Sequence, residues 1–283
     1  MINFNGRLVE SNNNLISISN RGYKYGDALF ETIRVVNGKV LFLEDHYFRL
    51  MASMRILRID IPMNYTMEFF ETEILKTIEA IPNLNNSARV RLNVDRGQGG
   101  KYLPITSSNA QFHIIAEPLD RLFYEIHPFE KYRVDLYKDF YVASGLLSGL
   151  KTNNKAIQVT GSIFAKENDL DNCLMVNTNK MIVEALNGNL FLVKGNVIKT
   201  PPLEDGCLRG IMRLQILRLL QNNPNYIVEE SSISPFELQK ADELFITNTI
   251  IGIQSIGNYR KKNYKNDVAK DLLAKLNTKI RLS

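Results

Sequence analysis

The apolar residues of this chain change period repeatedly, and they do so without a regular alternation of strand and helix. Leu43, Tyr47, Leu50, Met51, Met54 and Leu57 recur at helical spacing and predict a helix over 44–58, with Pro62 marking its far side. A second helix is predicted over 66–81, ended by Pro82. Ala88–Asp95 and Gln111–Glu117 alternate as half-buried strands do. Residues 1–9 and 33–43 read as short strands, the latter turning at Asn37-Gly38, a hairpin signal. Further on, strands at Val134–Tyr141, Leu174–Val176, Leu190–Lys194, Val197–Lys199 and Glu243–Thr247 mix with helices after Lys151 and over Gly210–Gln221. This mixture predicts an α+β fold rather than a doubly wound sheet. The segment Pro118–Pro128, with prolines at both ends and mixed charge between, reads as a linker. The chain then divides into a smaller N-terminal domain at 1–117, a linker at 118–128 and a larger domain at 129–283. A length of 283 residues suits two modest cores.

Several functional classes are excluded on composition. No apolar run approaches the length of a membrane span. The N-terminus lacks the basic stretch and apolar core of a signal peptide, so a cytoplasmic location is expected. Cys173 and Cys207 make neither a metal-ligand pattern nor a disulfide framework, and no metal is expected. The net charge of +5 raises the question of nucleic acid, and its location answers it. Residues 258–283 hold eight Lys/Arg against two Asp, a net +6, which leaves the remainder at −1. Val268, Leu272, Leu273, Leu276 and Ile280 fall at helical spacing within that tail. A docked terminal helix with a solvated basic face explains the charge without a nucleic-acid partner.

Candidate chemistry starts with Lys151, which follows Ser148-Gly149-Leu150 at a strand-to-helix transition. An amine so placed is a candidate for a Schiff base. Glu184 is a single acid in the apolar segment 181–191, just ahead of a strand. A buried acid needs a partner, either a salt bridge or a heterocyclic N–H⁺. Gly210 opens a helix after Thr200-Pro201-Pro202, presenting the amides of Ile211 and Met212 to an anion. Thr247-Asn248-Thr249 adds hydroxyl donors, and Arg49 can grip a phosphate with two donors. No Walker-type or GxGxxG signature competes for a phosphate role.

Taken together and in order, these segments resemble class IV aminotransferases across nearly the whole chain. The segment Arg21–Arg34, including Tyr25, Phe30 and Thr32, looks like the family's N-terminal signature. His46-x-x-Arg49-Leu50 looks like its phosphate-binding arginine, and Lys151 matches its Schiff-base lysine. Glu184, with Asn189-Leu190-Phe191 behind it, matches the carboxylate on the pyridine nitrogen of pyridoxal 5′-phosphate (PLP). Gly210-Ile211-Met212-Arg213 and Ala241–Thr249 match the phosphate-holding helix and the last signature, with Thr249 at a phosphate-contacting position. The resemblance implies a two-domain fold type IV enzyme like the D-amino-acid aminotransferases. The larger domain would bind PLP, the cofactor would lie between the domains, and the enzyme would be a homodimer.

Within the family, three features lean towards the 4-amino-4-deoxychorismate lyases. Thr32 stands where branched-chain aminotransferases carry glycine, and is implied to relay a proton. Arg96-Gly97-Gln98-Gly99-Gly100-Lys101 resembles the lyases' glycine-rich loop. Lys155 sits where branched-chain enzymes have tyrosine. Basic groups suit a dicarboxylate, each neutralised by a charge-assisted hydrogen bond. Tyr25, Phe30, Arg96 and Lys155 are the implied substrate residues, Lys151 and Thr32 the catalytic ones. The alternative is amino transfer between a D- or branched-chain amino acid and a 2-oxo acid.

Overall fold

The computed structural model describes the whole chain apart from residues 12, 13, 83, 85, 86, 106–109, 222 and 283. Two units divide it: Met1–Phe123 with Lys151–Asn154, and Tyr124–Leu150 with Lys155–Ser283. The division at Phe123 falls within 118–128, and the excursion of Lys151–Asn154 into the first unit has no precursor in the local sequence pattern.

The first unit runs β1 (Ile2–Phe4), β2 (Arg7–Val9), α1 (Arg21–Tyr25), β3 (Ala28–Val36), β4 (Lys39–Val40), α2 (Leu43–Ile56), α3 (Met67–Glu79), β5 (Ser87–Asp95) and β6 (Gln111–Pro118). Its strands form one antiparallel sheet in the order β2-β1-β6-β5-β3-β4. The expected turn at Asn37-Gly38 is present, with φ of 49° and 75°. Residues 1–9 are not one strand, because Asn5-Gly6 makes the same kind of turn, with φ of 51° and 83°. Asn and Gly tolerate this left-handed backbone, which matches the twist of a hairpin. Helix α2 packs on β3 and α3 on β6. Thr66 starts α3 by accepting from the Phe69 amide at 3.1 Å. Side chains alternate along β3, so Glu31, Ile33 and Val35 face the helices while Phe30, Thr32 and Arg34 face the other way.

The second unit runs β7 (Arg133–Val142), α4 (Ala156–Glu167), β8 (Asn172–Asn177), β9 (Ile182–Ala185), β10 (Asn189–Lys194), β11 (Val197–Thr200), α5 (Ile211–Gln221), β12 (Ile227–Glu230), α6 (Pro235–Lys240), β13 (Glu243–Asn248), β14 (Gly252–Ile256), β15 (Asn258–Tyr259), β16 (Lys262–Asn263) and α7 (Asp267–Leu282). Two sheets form, ordered β12-β11-β10-β13-β14 and β16-β15-β7-β8-β9, each mixing parallel and antiparallel pairs. Leu174, Val176 and Ile182 from one sheet share a buried cluster with Leu190, Leu192, Leu244 and Ile246 from the other. The second part of the basic tail is α7, docked through buried Leu272, Leu273, Leu276 and Ile280, whereas Arg260, Lys261, Lys262 and Lys265 precede it on and after the β15–β16 hairpin, so the helix carries only half of the tail's cations. Its first turn is held by the buried Glu243 carboxylate, which accepts from the Val268 and Ala269 amides. Among the described residues, no helix is long and apolar enough to cross a membrane.

Candidate active site

Lys151 is placed by strand pairing rather than by the helix that follows it. Its carbonyl accepts from the Phe30 amide at 2.9 Å, and the Asn153 amide donates to the Ala28 carbonyl at 3.0 Å. Leu29 and Thr152 are bridged antiparallel between them. Lys151–Asn154 thus lies along the first half of β3, where β4 does not reach. The pairing sends Lys151 and Asn153 to the same side. The Lys151 ammonium sits 4.5 Å from the centroid of the Phe30 ring, and the Arg91 guanidinium carbon lies 3.9 Å from that centroid. Asn153 Oδ1 accepts from Arg91 Nη2 at 3.2 Å and from Asn93 Nδ2 at 3.0 Å. Arg91 Nε in turn donates to Asn93 Oδ1 at 2.6 Å. His113, level with Asn93 in the register, is pushed down to about 4 by burial and then by the Arg91 charge, so it is a neutral ring. Thr32 lies one strand repeat beyond Phe30 on this face, opposite Arg91.

The other face of β3 carries a different cluster. Glu31 is 2% exposed and accepts from Arg49 through Nε at 2.8 Å and through Nη2, and from His46 Nδ1 at 2.7 Å. His46 and Arg49 stand three residues apart on α2 and therefore share one of its faces. Burial raises the Glu31 carboxyl, but the Arg49 charge and the His46 hydrogen bond overcome it and hold it at about 2. Burial, outweighing the Glu31 hydrogen bond, pushes His46 below its ordinary value, so the ring is neutral.

Arg96 has a structural engagement that its sequence context does not reveal. Its Nε donates to Asp27 at 2.8 Å, and its Nη2 donates to the Leu57 carbonyl at 2.6 Å and to Asp27 at 3.2 Å. Buried Arg21 grips the same Asp27 at 2.8 Å and reaches the carbonyls of Gly99 and Tyr102. Together these contacts pin the 96–102 loop to the turn before β3. Tyr25 closes α1, with the Arg21 and Lys24 cations over its ring and the Tyr102 ring 5.7 Å away.

In the second unit, Glu184 does not precede a strand but lies within β9, since the run 182–185 pairs with β8. Its Oε2 accepts from Asn189 Nδ2 at 3.0 Å and from the Leu208 amide at 3.1 Å. Asn189 also donates to the Leu208 carbonyl at 2.9 Å, tying the carboxylate to the approach of α5. Gly210 is required there, because a Cβ would meet Asn189 Oδ1 at 1.9 Å. Ile211 and Met212 then open α5, where the first amides have no intrahelical acceptor. Thr249 follows the end of β13, its carbonyl accepting from the Tyr124 hydroxyl at 2.7 Å. Thr247 Oγ1, two residues earlier, is buried without a hydrogen-bond partner among the described residues. Lys155, half-buried, occupies the N-cap position of α4.

Sequence reasoning missed Arg91, Asn93, Asn153, Glu31 and His46. The signal was present for Glu31, a lone acid between apolar neighbours like Glu184, but Arg91 and Asn93 are two of five polar positions (87, 89, 91, 93 and 95) in an alternating strand, and that pattern does not set them apart. Among the described residues, no cluster of His, Cys, Asp and Glu suits a metal ion.

Comparison with known proteins is consistent across the chain. The family model for amino-transferase class IV matches residues 28–259. A putative branched-chain-amino-acid aminotransferase of Methanocaldococcus jannaschii is 31% identical, over 99% of this chain and 95% of its own length. D-alanine aminotransferase of Bacillus licheniformis is 29% identical, covering 89% and 87%. Among solved structures, the 4-amino-4-deoxychorismate lyase of Pseudomonas aeruginosa superposes with a TM-score of 0.82 at 25% identity, covering 98% of each chain. The chain belongs to the class IV aminotransferase family, with the α+β fold type IV architecture, and is a PLP-dependent enzyme. Its side chains suit that cofactor: an amine in Lys151, a carboxylate oriented by Asn189 and the Leu208 amide in Glu184, and a buried hydroxyl in Thr247 that has no hydrogen-bond partner among the described residues.

Proposed function

We propose that the enzyme is a 4-amino-4-deoxychorismate lyase, releasing pyruvate and 4-aminobenzoate for folate synthesis. One observation carries this reading: Thr32 shares a strand face with Phe30, whose ring lies against the Lys151 ammonium. A hydroxyl on the same strand face as the ring that meets a proton-abstracting amine suits an elimination, because it both donates and accepts. PLP, when bound, supplies an electron sink for the carbon that bears the substrate's nitrogen. Lys151 holds the cofactor and takes the proton from that carbon. Thr32 hands a proton to the departing pyruvate as the ring aromatises. Glu184 keeps the pyridine nitrogen protonated, and Arg49, Thr249 and the amides of Ile211 and Met212 hold the phosphate.

For the substrate, Tyr25, Phe30 and Lys155 provide contacts. Arg96 acts by fixing the 96–102 loop through Asp27. The Arg91 guanidinium, against the same ring as Lys151, favours a substrate bearing a carboxylate. In this reading the enzyme is a cytoplasmic homodimer, with 118–128 linking a small domain to the cofactor-binding one.

Amino transfer is the second reading, favoured by the two relatives at 31% and 29% identity, both named as aminotransferases. It uses the same lysine but needs a 2-oxo acid as second substrate. Aminodeoxychorismate alone, and then D-alanine or L-leucine with 2-oxoglutarate, separate the two. Pyruvate and 4-aminobenzoate from the first mixture support the lyase; efficient amino transfer with no elimination defeats it.

A further inference from the structure

Glu31 and His46 do not belong to the chemistry proposed above, yet both are buried polar side chains on a face otherwise packed with apolar residues such as Ile33, Leu50 and Ile74. A buried ion pair is weak evidence for stability, since desolvation offsets most of its attraction. Its geometry is more informative. Glu31 receives Arg49 through Nε and Nη2, a two-point grip that fixes the plane of the guanidinium. His46 Nδ1 donates to the same carboxylate oxygen, Oε2, and so fixes the carboxylate in turn. His46 Nε2 is buried without a hydrogen-bond partner among the described residues, which places the ring proton on Nδ1. The cluster therefore carries one negative and one positive charge, and the imidazole contributes a directed donor rather than a third charge.

We propose that Glu31 and His46 are positioning residues for phosphate recognition, holding the Arg49 guanidinium in a single orientation before the cofactor arrives. This rests on the reading that Arg49 binds the PLP phosphate. Arginine has a long, rotamer-rich side chain, and ordering it on binding weakens affinity. A guanidinium ordered in advance avoids that loss. The Glu31 carboxylate also repels a phosphate, so two effects of opposite sign compete. Orientation wins here: a Gln at position 31 would turn an amide N–H₂ towards Arg49 or His46, leaving a buried donor without an acceptor and driving Arg49 out of place.

The test compares PLP with pyridoxal, which has the same ring and no phosphate, titrated into the full-length enzyme after cofactor removal. Glu31→Gln should weaken PLP about tenfold and leave pyridoxal within about twofold, the size of one charge-assisted hydrogen bond. His46→Phe should lower the PLP-to-pyridoxal preference in the same direction. His46→Asn, whose amide nitrogen can stand in for Nδ1, should restore it. Adding Glu31→Gln to Arg49→Ala should cause no further loss, because the glutamate acts through the arginine. Thermal unfolding identifies any variant that fails to fold, and the His46 pair then carries the test. An unchanged preference in Glu31→Gln and His46→Phe, with a lowered one in Arg49→Ala, overturns the positioning role. Tighter PLP binding by Glu31→Gln overturns it as well, by showing that repulsion dominates. An unchanged preference in Arg49→Ala overturns the phosphate reading itself.

Discussion

Glu31 and Glu184 are both lone acids among apolar neighbours, one in each unit, and different kinds of donor converge on them. Glu31 is closed on a cation: Arg49 and His46 converge on it, and its carboxyl is held at about 2. Glu184 is held on Oε2 by two neutral donors, the Asn189 amide group and the Leu208 N–H. The Glu184 carboxylate also acts on Cys207, whose thiol is pushed up to about 12 by burial and then by Glu184. The contrast teaches what each acid does. A carboxylate closed on a guanidinium acts mechanically on that partner; one whose plane is set by an amide group and a backbone N–H is oriented as an acceptor for a ligand N–H needs to be.

The loss of Lys151 sets the upper limit. Lys151→Ala should remove the visible PLP absorbance and cut turnover by at least about 10³-fold, since it deletes both attachment and proton abstraction. Wild-type absorbance in this variant would end the assignment. Next comes the oriented acid. Glu184→Gln should retain PLP but lower kcat by about 10²–10³-fold, as for other electrostatic stabilisers. An unchanged kcat would make Glu184 a structural residue and erase the contrast with Glu31. Arg49→Ala should weaken PLP by about 1.5–3 kcal/mol, read from cofactor titration, while its kcat at saturating PLP changes less than in Glu184→Gln.

Smaller effects sharpen the comparison. Gly210→Ala places a methyl 1.9 Å from Asn189 Oδ1, so Asn189 must leave Glu184 or α5 must shift. Thermal unfolding should register a loss of about 1–3 kcal/mol, the usual range for overpacking. The smallest signal is in acid unfolding. The folded-state pKa of Glu31 lies below its ordinary value of 4.5, so its contribution is present above that value and is lost as pH falls towards about 2. Glu31→Gln should flatten the stability profile over that window and nowhere else. Glu31 is one of 30 acids, so the change is read as a difference between variant and wild type.

Local pattern carried much of the fold. Helices α2 and α3, the Asn37-Gly38 hairpin, β5, β6 and α7 are legible because each repeats an apolar period over several residues or shows a turn pair with one backbone solution. Short elements such as α1, β9, β12 and β14 were not, having too few residues to display a period. Glu184 was singled out as a lone acid, yet its strand was missed for that reason.

Which residues are of a type to do chemistry, and which face of an element they occupy, was determined by the sequence itself: Lys151, Arg49, Thr32 and Glu184 follow from residue type, spacing and family resemblance. Which partners they meet was decided only by the tertiary structure. Thr152 is bridged to Leu29, Arg96 is clamped on Asp27, and Arg49 is gripped by Glu31. The physical reason is that periodicity encodes the side of a helix or strand that is buried, a property of neighbours within a few residues. The pairing of distant segments is settled by packing the whole unit together, and no local spacing records it.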